Sequence, residues 1–169
     1  MRRDGATVEL LSGEELLASA APAHFDLAVP NPPSRAEAAS AQAALPPRTG
    51  HPFPECFGCG PARVPGDAAA VFVGPLPDRR GRGAGDGVGC AGLPVVPAAA
   101  PGSDAPWLLG TLTVSQERPV GLDTDHVLLA WRIGREGRKA ITASAVVGPD
   151  GQVCARARAI WLEVRASTG

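Results

Sequence analysis

The segment 51 to 61, HPFPECFGCGP, holds the most reactive residue types of the chain at close spacing. Cys56 and Cys59 form a Cys-x-x-Cys pair, the spacing at which proteins present two thiolates to zinc or form a redox-active dithiol. Zinc would need further ligands, and His51, Cys90 and Cys154 have suitable chemistry. A third interpretation is a shaped loop in which the two cysteines are small, half-buried residues.

The residues around the pair favour the loop. Structural zinc sites usually close with a second compact pair of ligands, and this sequence has none. A thioredoxin-type pair opens a helix, whereas Gly60-Pro61 follows this pair and favours a turn. We therefore predict no bound metal and no cofactor, and keep a small zinc-binding protein held by Cys56 and Cys59 as an alternative.

Two further patterns have structural explanations. Gly87-x-Gly89-x-x-Gly92 spells a dinucleotide fingerprint, but the prolines from Pro94 to Pro97 stand where the required helix would begin. Asp123 and Asp125 flank a predicted turn, where aspartate is common. The histidines have no recognisable nucleophile motif beside them.

Three cations, Arg135, Arg138 and Lys139, crowd one predicted hairpin turn. A solvated turn explains them, and so does a cationic patch for the phosphates of a nucleotide-like ligand, because guanidinium and ammonium groups bind phosphate well. Both interpretations remain open from the residues alone.

Composition narrows the function classes. A formal net charge of -1 gives no electrostatic footprint for nucleic acid or an anionic membrane, so neither is an expected partner. No apolar run approaches 18 residues, and four scattered cysteines do not suggest a secreted disulfide scaffold. We expect a soluble, cytoplasmic, bacterial protein. Aromatic residues make up only 4% of the chain, so its core should be modest and self-association to a homo-oligomer is expected.

The elements that would position these residues are mostly strands. Alternating apolar residues predict strands from 108 to 115, 127 to 133, 141 to 147 and 152 to 164, joined as an antiparallel meander. The last strand carries an alanine row, Ala155, Ala157 and Ala159, on one face. Such a row lets a helix approach the sheet closely, so we expect one there.

The first part of the chain contains a shorter sequence that is similar to the last predicted hairpin. The segment 8 to 23 parallels 144 to 159: a strand, a turn with glycine, two apolar residues and Ala-x-Ala. Ser34-x-x-Glu37 is a capping box for a short alanine-rich helix, which we expect to be a surface connector ended by Pro46-Pro47. Residues 78 to 104 have no period and predict an irregular insert.

Taken together, HPFPECFGCGPAR and the strands from GTLTVSQERPV to ARARAIW resemble the hotdog-fold acyl-CoA thioesterase superfamily, in particular its phenylacetate-pathway thioesterase-like branch. The resemblance implies an α+β fold with a long antiparallel sheet around a central helix, and dimers or fused double hotdogs with acyl-CoA sites at the interface. It covers residues 2 to 63 and 107 to 162. Residues 64 to 106 offer no counterpart of the central helix.

The resemblance implies a hotdog-like sheet that is incomplete, without its central helix, in a truncated or degenerate chain. The implied domains are 1–29, the terminal hairpin of a first unit; 30–50, a linker with the short helix; 51–164, a second unit with the irregular insert at 78–104; and 165–169, a tail. The catalytic residue stays unknown, since family enzymes carry it on or beside the missing helix. Arg135, Arg138 and Lys139 become candidate coenzyme A phosphate contacts. The implied function is binding or hydrolysis of an acyl-CoA thioester; a non-catalytic interaction protein is the alternative.

Overall fold

The computed structural model describes residues 1–43, 54–55, 62–63, 74–75, 82–85, 107–121 and 124–164. These contain a three-stranded sheet, a helix and a six-stranded sheet. The small sheet is formed by β1 (Arg2–Asp4), β2 (Thr7–Ser12) and β3 (Glu15–Ala20), and α1 is Arg35–Ala43. The large sheet contains β4 (Gly74–Pro75), β5 (Arg82–Gly85), β6 (Trp107–Gln116), β7 (Val127–Glu136), β8 (Lys139–Val147) and β9 (Val153–Glu163).

The large sheet is antiparallel throughout, with the order β4-β5-β7-β8-β9-β6. The predicted hairpins β7-β8 and β8-β9 are confirmed. Their turns contain Gly137 at φ 56° and Gly151 at φ 77°, backbone conformations that favour glycine.

The position of β6 differs from the predicted meander. It pairs along its whole length with β9, from Trp107 opposite Glu163 to Gln116 opposite Ala155, and two strands separate it from β7. The backbone N–H groups of Glu117 and Arg118 extend this pairing by donating to Cys154 O at 2.8 and 3.0 Å. The prediction of a simple meander is wrong, because β6 takes the far side of β9 in place of a position beside β7. The sequence between Gln116 and Val127 is long enough to span the two intervening strands.

Two bulges change which side chains share a face. The register of β7 shifts between Arg132 and Gly134, and that of β6 shifts between Leu109 and Thr111. A bulge inserts one extra residue, so the alternation on its two sides is out of phase. Leu108 therefore lies opposite Leu162, on the other face from Leu112, although simple alternation predicts that both share a face.

We call face A the face that carries Ala157, with Val114 on β6 and Ser144 on β8 as its cross-strand neighbours. Face B carries Arg156, with Ser115 and Ala145 as neighbours. In an antiparallel sheet, residues directly opposite one another point to the same face. The predicted alanine row is thus on face A.

The helix packs on face B. Ala38 and Ala41 of α1, with Leu27 of the segment before it, form one core with face B residues of β7 and β8, which are Val127, Leu129, Trp131, Ala143, Ala145 and Val147. The capping box is present: the backbone N–H of Ser34 donates to Glu37 Oε2 at 2.7 Å, and that of Glu37 donates to Ser34 Oγ at 3.2 Å.

One expectation is corrected by this packing. The helix is not a surface connector, because its alanines are buried against the sheet. On face B it covers Leu129 and Trp131, and burial of these side chains removes much apolar area from water. Among the described residues no helix packs on the alanine row, so the helix expected there stays a prediction.

The remaining expectations are met in part. The N-terminal hairpin is confirmed as β2 and β3, and β1 adds a third strand. Residues 82 to 85 form β5 beside β7, so the prediction that 78 to 104 hold no regular structure is wrong at that point. The rest of that interval, including any central helix, lies outside the described residues. No helix in the described part of the chain is long and apolar enough to cross a bilayer.

Candidate functional site

The cysteine pair that opens the sequence analysis lies outside the described residues, as do His51 and Cys90. Zinc binding and loop formation by Cys56 and Cys59 therefore stay predictions. Cys154 is described and is a buried free thiol on β9. Within the described ranges, no three His, Cys, Asp or Glu side chains come together as a metal ion would require.

Of the two predicted turn aspartates, the structure describes only Asp125. Asp125 forms an ion pair with Arg35, which ties the start of β7 to the start of α1. His126, beside it, has its Nδ1 at 2.7 Å from the backbone oxygen of Thr124. These contacts hold the entry to β7, as the turn interpretation expects. Asp123 lies outside the described residues.

The cationic hairpin turn is the best defined of the predicted sites. Arg135 extends from the end of β7 on face A, because the bulge in that strand places it opposite Ala140 and in the row of Trp161. Its Nη2 donates to Glu163 Oε2 at 2.8 Å, and its Nε donates to the backbone oxygen of Gly137 at 3.0 Å.

Arg138 is fixed by backbone contacts at the same corner. Its Nε and Nη2 donate to Glu163 O at 3.1 and 2.7 Å, while the Glu163 N–H donates to Arg138 O at 2.9 Å. Arg135 and Arg138 thus converge on the last residue of β9. A part of their role is structural, since they hold that strand end against the β7-β8 turn.

Lys139 does not join them. It is exposed and lies opposite Leu162, on face B, whereas the next residue, Ala140, is buried on face A. The structure therefore brings two of the three predicted cations together and leaves the third at the rim of the same turn.

A tryptophan pair beneath this corner was missed by sequence reasoning. The guanidinium carbon of Arg135 is 5.2 Å from the ring centroid of Trp107, within range of a cation–π interaction. Trp107 and Trp161 are both buried and form one cluster with Ala140 and Ala159. Alternation in β9 identifies Trp161 as a face A residue, but no signal in the sequence brings Trp107 beside it, because that requires β6 to pair with β9.

The two indoles differ in their hydrogen bonds. Trp161 Nε1 donates to Thr142 Oγ1 at 2.9 Å, and both residues are buried. Trp107 Nε1 is buried and has no hydrogen-bond partner among the described residues. We call Trp107, Arg135, Arg138, Trp161 and Glu163 the tryptophan–arginine corner.

This corner suits recognition of an anion more than bond-breaking. A guanidinium has five N–H donors, and the contacts with described residues use two on each arginine, which leaves three on each for a ligand within that part of the chain. Both arginines are held by hydrogen bonds before any ligand arrives, and Arg135 also stacks on Trp107, so binding would cost little side-chain entropy.

Comparison with known proteins finds partial structural likenesses. No family model matches the sequence, and no curated protein matches it. One solved structure, from Syntrophus aciditrophicus SB, has a description that proposes a thioesterase; it is 17% identical, with a TM-score of 0.31, over 34% of this chain and 38% of that one. A second, described as a thioesterase superfamily protein, is 23% identical, with a TM-score of 0.40, over 57% of this chain and 55% of that one. The chain thus spans less than two thirds of either matched structure.

Proposed function

We propose that this protein is a hotdog-type, thioesterase-like protein that binds an acyl-CoA thioester. The observation that supports this best is the sheet itself, in which β6 to β9 are long antiparallel strands and face B residues of β7 and β8 are buried against a helix. Antiparallel sheets with one short helix are consistent with a partial hotdog fold. The phenylacetate-pathway branch remains a proposal from the sequence.

Within this proposal, the cations of the β7-β8 turn contact the phosphates of coenzyme A. Arg135 and Arg138 contribute the donors that Glu163 leaves unused, and Lys139 adds an exposed ammonium group at the rim. Phosphate accepts several charge-assisted hydrogen bonds at once, which suits donors on neighbouring residues. No residue of the described ranges is assigned a catalytic role, so the proposal concerns binding first and hydrolysis second.

The test compares ligands that differ only in their phosphates. Acyl-CoA should bind to the full chain more tightly than the matching acyl-pantetheine, measured by isothermal titration calorimetry, and the difference should shrink at high salt because exposed charges are screened. Lys139→Gln should weaken acyl-CoA binding by about 3-fold, the scale of one exposed ionic contact. Arg132→Gln is the matched control, since it removes one exposed charge from the same hairpin away from the turn.

Equal affinity for acyl-CoA and acyl-pantetheine would remove the phosphate contacts from the proposal. Failure to bind either ligand would remove the acyl-thioester function altogether. Hydrolysis is read separately, as release of free thiol from a panel of acyl-CoA substrates.

A non-catalytic interaction protein is the second candidate, and a specific observation favours it. Leu112 and Val114 on face A of β6 are 55% and 58% exposed, which is unusual for apolar residues in the middle of a long strand. Saturable acyl-CoA turnover that is lost when one carboxylate is neutralised would exclude this alternative.

A further inference from the structure

Face B of the large sheet has two parts. The helix α1 lies over the strands β4, β5 and β7, and it shares a core with face B residues of β7 and β8. Strands β9 and β6 continue the sheet beyond the helix. Their face B residues form four cross-strand pairs, which are Arg156 with Ser115, Arg158 with Thr113, Ile160 with Thr111, and Leu162 with Leu108. We call the last three of these pairs the face B strip.

The two arginines on this part of β9 differ in their contacts. Arg156 forms an ion pair with Glu117 and donates from Nη1 to the backbone oxygen of Leu27 at 2.7 Å. The Arg158 side chain is half-buried, and within the described ranges it has no hydrogen bond and no ion pair. The positive charge of Arg156 is therefore matched by a carboxylate of the described chain, whereas that of Arg158 is not.

The surroundings of Arg158 make an unmatched charge costly. The strand β9 lies between β8 and β6, so Arg158 stands in the interior of the sheet, opposite Ala143 on β8 and Thr113 on β6. Ala143 is buried and Thr113 is half-buried, so water reaches the arginine from only a part of its surroundings. A charge that is partly withdrawn from water is stabilised by an opposite charge nearby, so this position favours an anion.

The donors at this position suit a carboxylate. A guanidinium presents parallel N–H donors that match the two oxygens of a carboxylate. The Thr113 hydroxyl is carried directly opposite Arg158 and can donate a further hydrogen bond to the same group. One unmatched positive charge balances the single negative charge of a carboxylate, whereas a phosphate monoester carries about −1.5 to −2 at neutral pH. The charge balance therefore favours a monocarboxylate.

The rest of the face B strip is apolar. Ile160, Leu162 and Leu108 continue from Arg158 towards the end of β9, and Leu162 and Leu108 are 38% and 48% exposed. From Arg158 to Leu162 the strand advances about 13 Å, at about 3.3 Å per residue. A surface with a cationic end and an exposed apolar end matches an amphiphile that has a carboxylate head and an aliphatic chain.

We propose that the face B strip binds an aliphatic monocarboxylate, a fatty acid of medium chain length. Its carboxylate accepts hydrogen bonds from Arg158 and Thr113, and its chain lies along Ile160 and against Leu162 and Leu108. The strip is on the opposite face of the sheet from the tryptophan–arginine corner, so this inference does not rest on the proposed acyl-CoA function.

The test is isothermal titration calorimetry of the full chain with octanoate, octanol and acetate at neutral pH. Octanoate should bind saturably, and it should bind more tightly than octanol, which lacks the charge, and than acetate, which lacks the chain. Arg158→Gln should weaken octanoate binding about 10-fold or more, because the hydrogen bonds that it removes are charge-assisted. Arg132→Gln is the matched control and should leave the affinity unchanged, since it removes an exposed arginine from face A of the same sheet.

Two further variants separate the head of the ligand from its chain. Leu108→Ala/Leu162→Ala removes exposed side chains, so the protein should stay folded, and octanoate should bind about 10-fold more weakly while acetate binding is unaffected. Arg158→Lys keeps the charge but loses the parallel donors, so it should recover only a part of the affinity that Arg158→Gln loses. Thermal unfolding followed by circular dichroism checks that each variant is folded.

Several outcomes would overturn the proposal. Wild-type protein that does not bind octanoate, or binds it no more tightly than octanol, has no carboxylate site on the strip. Equal effects of Arg158→Gln and Arg132→Gln show that binding follows net charge and not this position. Octyl phosphate that binds more tightly than octanoate shows that the strip selects phosphate. Should Arg158→Gln fail to fold, wild-type affinity for octanoate in Arg158→Lys would overturn the role of the parallel donors and with it the proposal.

Discussion

Replacing Trp161 by Phe deletes a buried hydrogen bond that the fold makes between neighbouring strands. Trp161 Nε1 donates to Thr142 Oγ1 at 2.9 Å, and the two residues are 5% and 0% exposed. The Phe variant keeps an aromatic ring at the site but has no donor. The Thr142 hydroxyl then loses its indole partner in a place that water reaches poorly.

The chain contains its own control for this substitution. Trp107 is 8% exposed in the same cluster, and its buried Nε1 has no hydrogen-bond partner in the part of the chain that the structure describes. Trp107→Phe removes the same ring volume as Trp161→Phe, but it removes an unsatisfied donor in place of a satisfied one. The cavity costs of the two variants therefore largely cancel when they are compared.

The size of the difference follows from the hydrogen bonds. Loss of a satisfied bond costs about 1 kcal/mol net, and the group left unpaired adds about 1 kcal/mol or more. Trp107→Phe recovers a similar desolvation cost and loses about 0.5 kcal/mol of attraction to the Arg135 guanidinium, which prefers tryptophan to phenylalanine. Trp161→Phe should therefore be less stable than Trp107→Phe by about 2.5 kcal/mol, or about 5–10 °C in Tm for a chain of this size.

The assay is thermal and urea unfolding of both variants, followed by far-UV circular dichroism. A third variant, Thr142→Val, should be destabilised because it leaves the Trp161 N–H unpaired. Combining it with Trp161→Phe should cost less than the sum of the two single changes, since the double variant leaves no polar partner behind. If Trp107→Phe proves as destabilising as Trp161→Phe, or more so, the assignment of one satisfied and one orphaned indole is wrong.

Other predictions concern the turns and the anchor of the N-terminal segment. Hydrogen bonds from Arg118 and then from the backbone of Gln152 lower the pKa of Asp150 from its ordinary value of 3.8. A carboxyl whose pKa is lowered by folding stabilises the protein at pH values above its unfolded pKa, and this contribution is lost as the pH falls through the folded pKa. Asp150→Asn should therefore lower the Tm at pH 7, and its Tm should match that of the wild type well below pH 4. Gly151→Ala should lower the free energy of unfolding by about 1 kcal/mol in a urea titration, because a φ of 77° is costly for alanine. Gly134→Ala is the control and should cost less, because Gly134 has no such φ and has open space where the alanine Cβ would lie. Arg156→Met should remove the bond to Leu27 O and speed hydrogen exchange in residues 25 to 29 without changing exchange in β8.

Local chemistry was enough to predict the hairpins and the helix start. Gly137 and Gly151 stand where the turns need left-handed backbone, and the Ser34 to Glu37 capping box forms as its spacing implies. Each of these features is decided by residues a few positions apart. Sequence reasoning is reliable at that range because no distant part of the chain competes with the local preference.

The tryptophan–arginine corner could not be predicted, because it depends on pairing between distant strands. Alternation identifies β6 as a strand but does not say which strand it pairs with. In the structure β6 pairs with β9 along its whole length, and not with β7. A period-two pattern of apolar residues also gives no sign of the bulge at Ile133. Without it, Arg135 would point to face B, away from Trp107 and Glu163.

The helix illustrates how a correct element can be assigned a wrong place. The alanines of α1 suggested a surface connector, yet Ala38 and Ala41 are buried on face B. Small residues permit close approach but supply little burial, whereas Leu129 and Trp131 supply much. On face A, the alanine row of β9 lies opposite Leu112 and Val114 of β6, and the small size of the alanines leaves these two side chains more than half exposed.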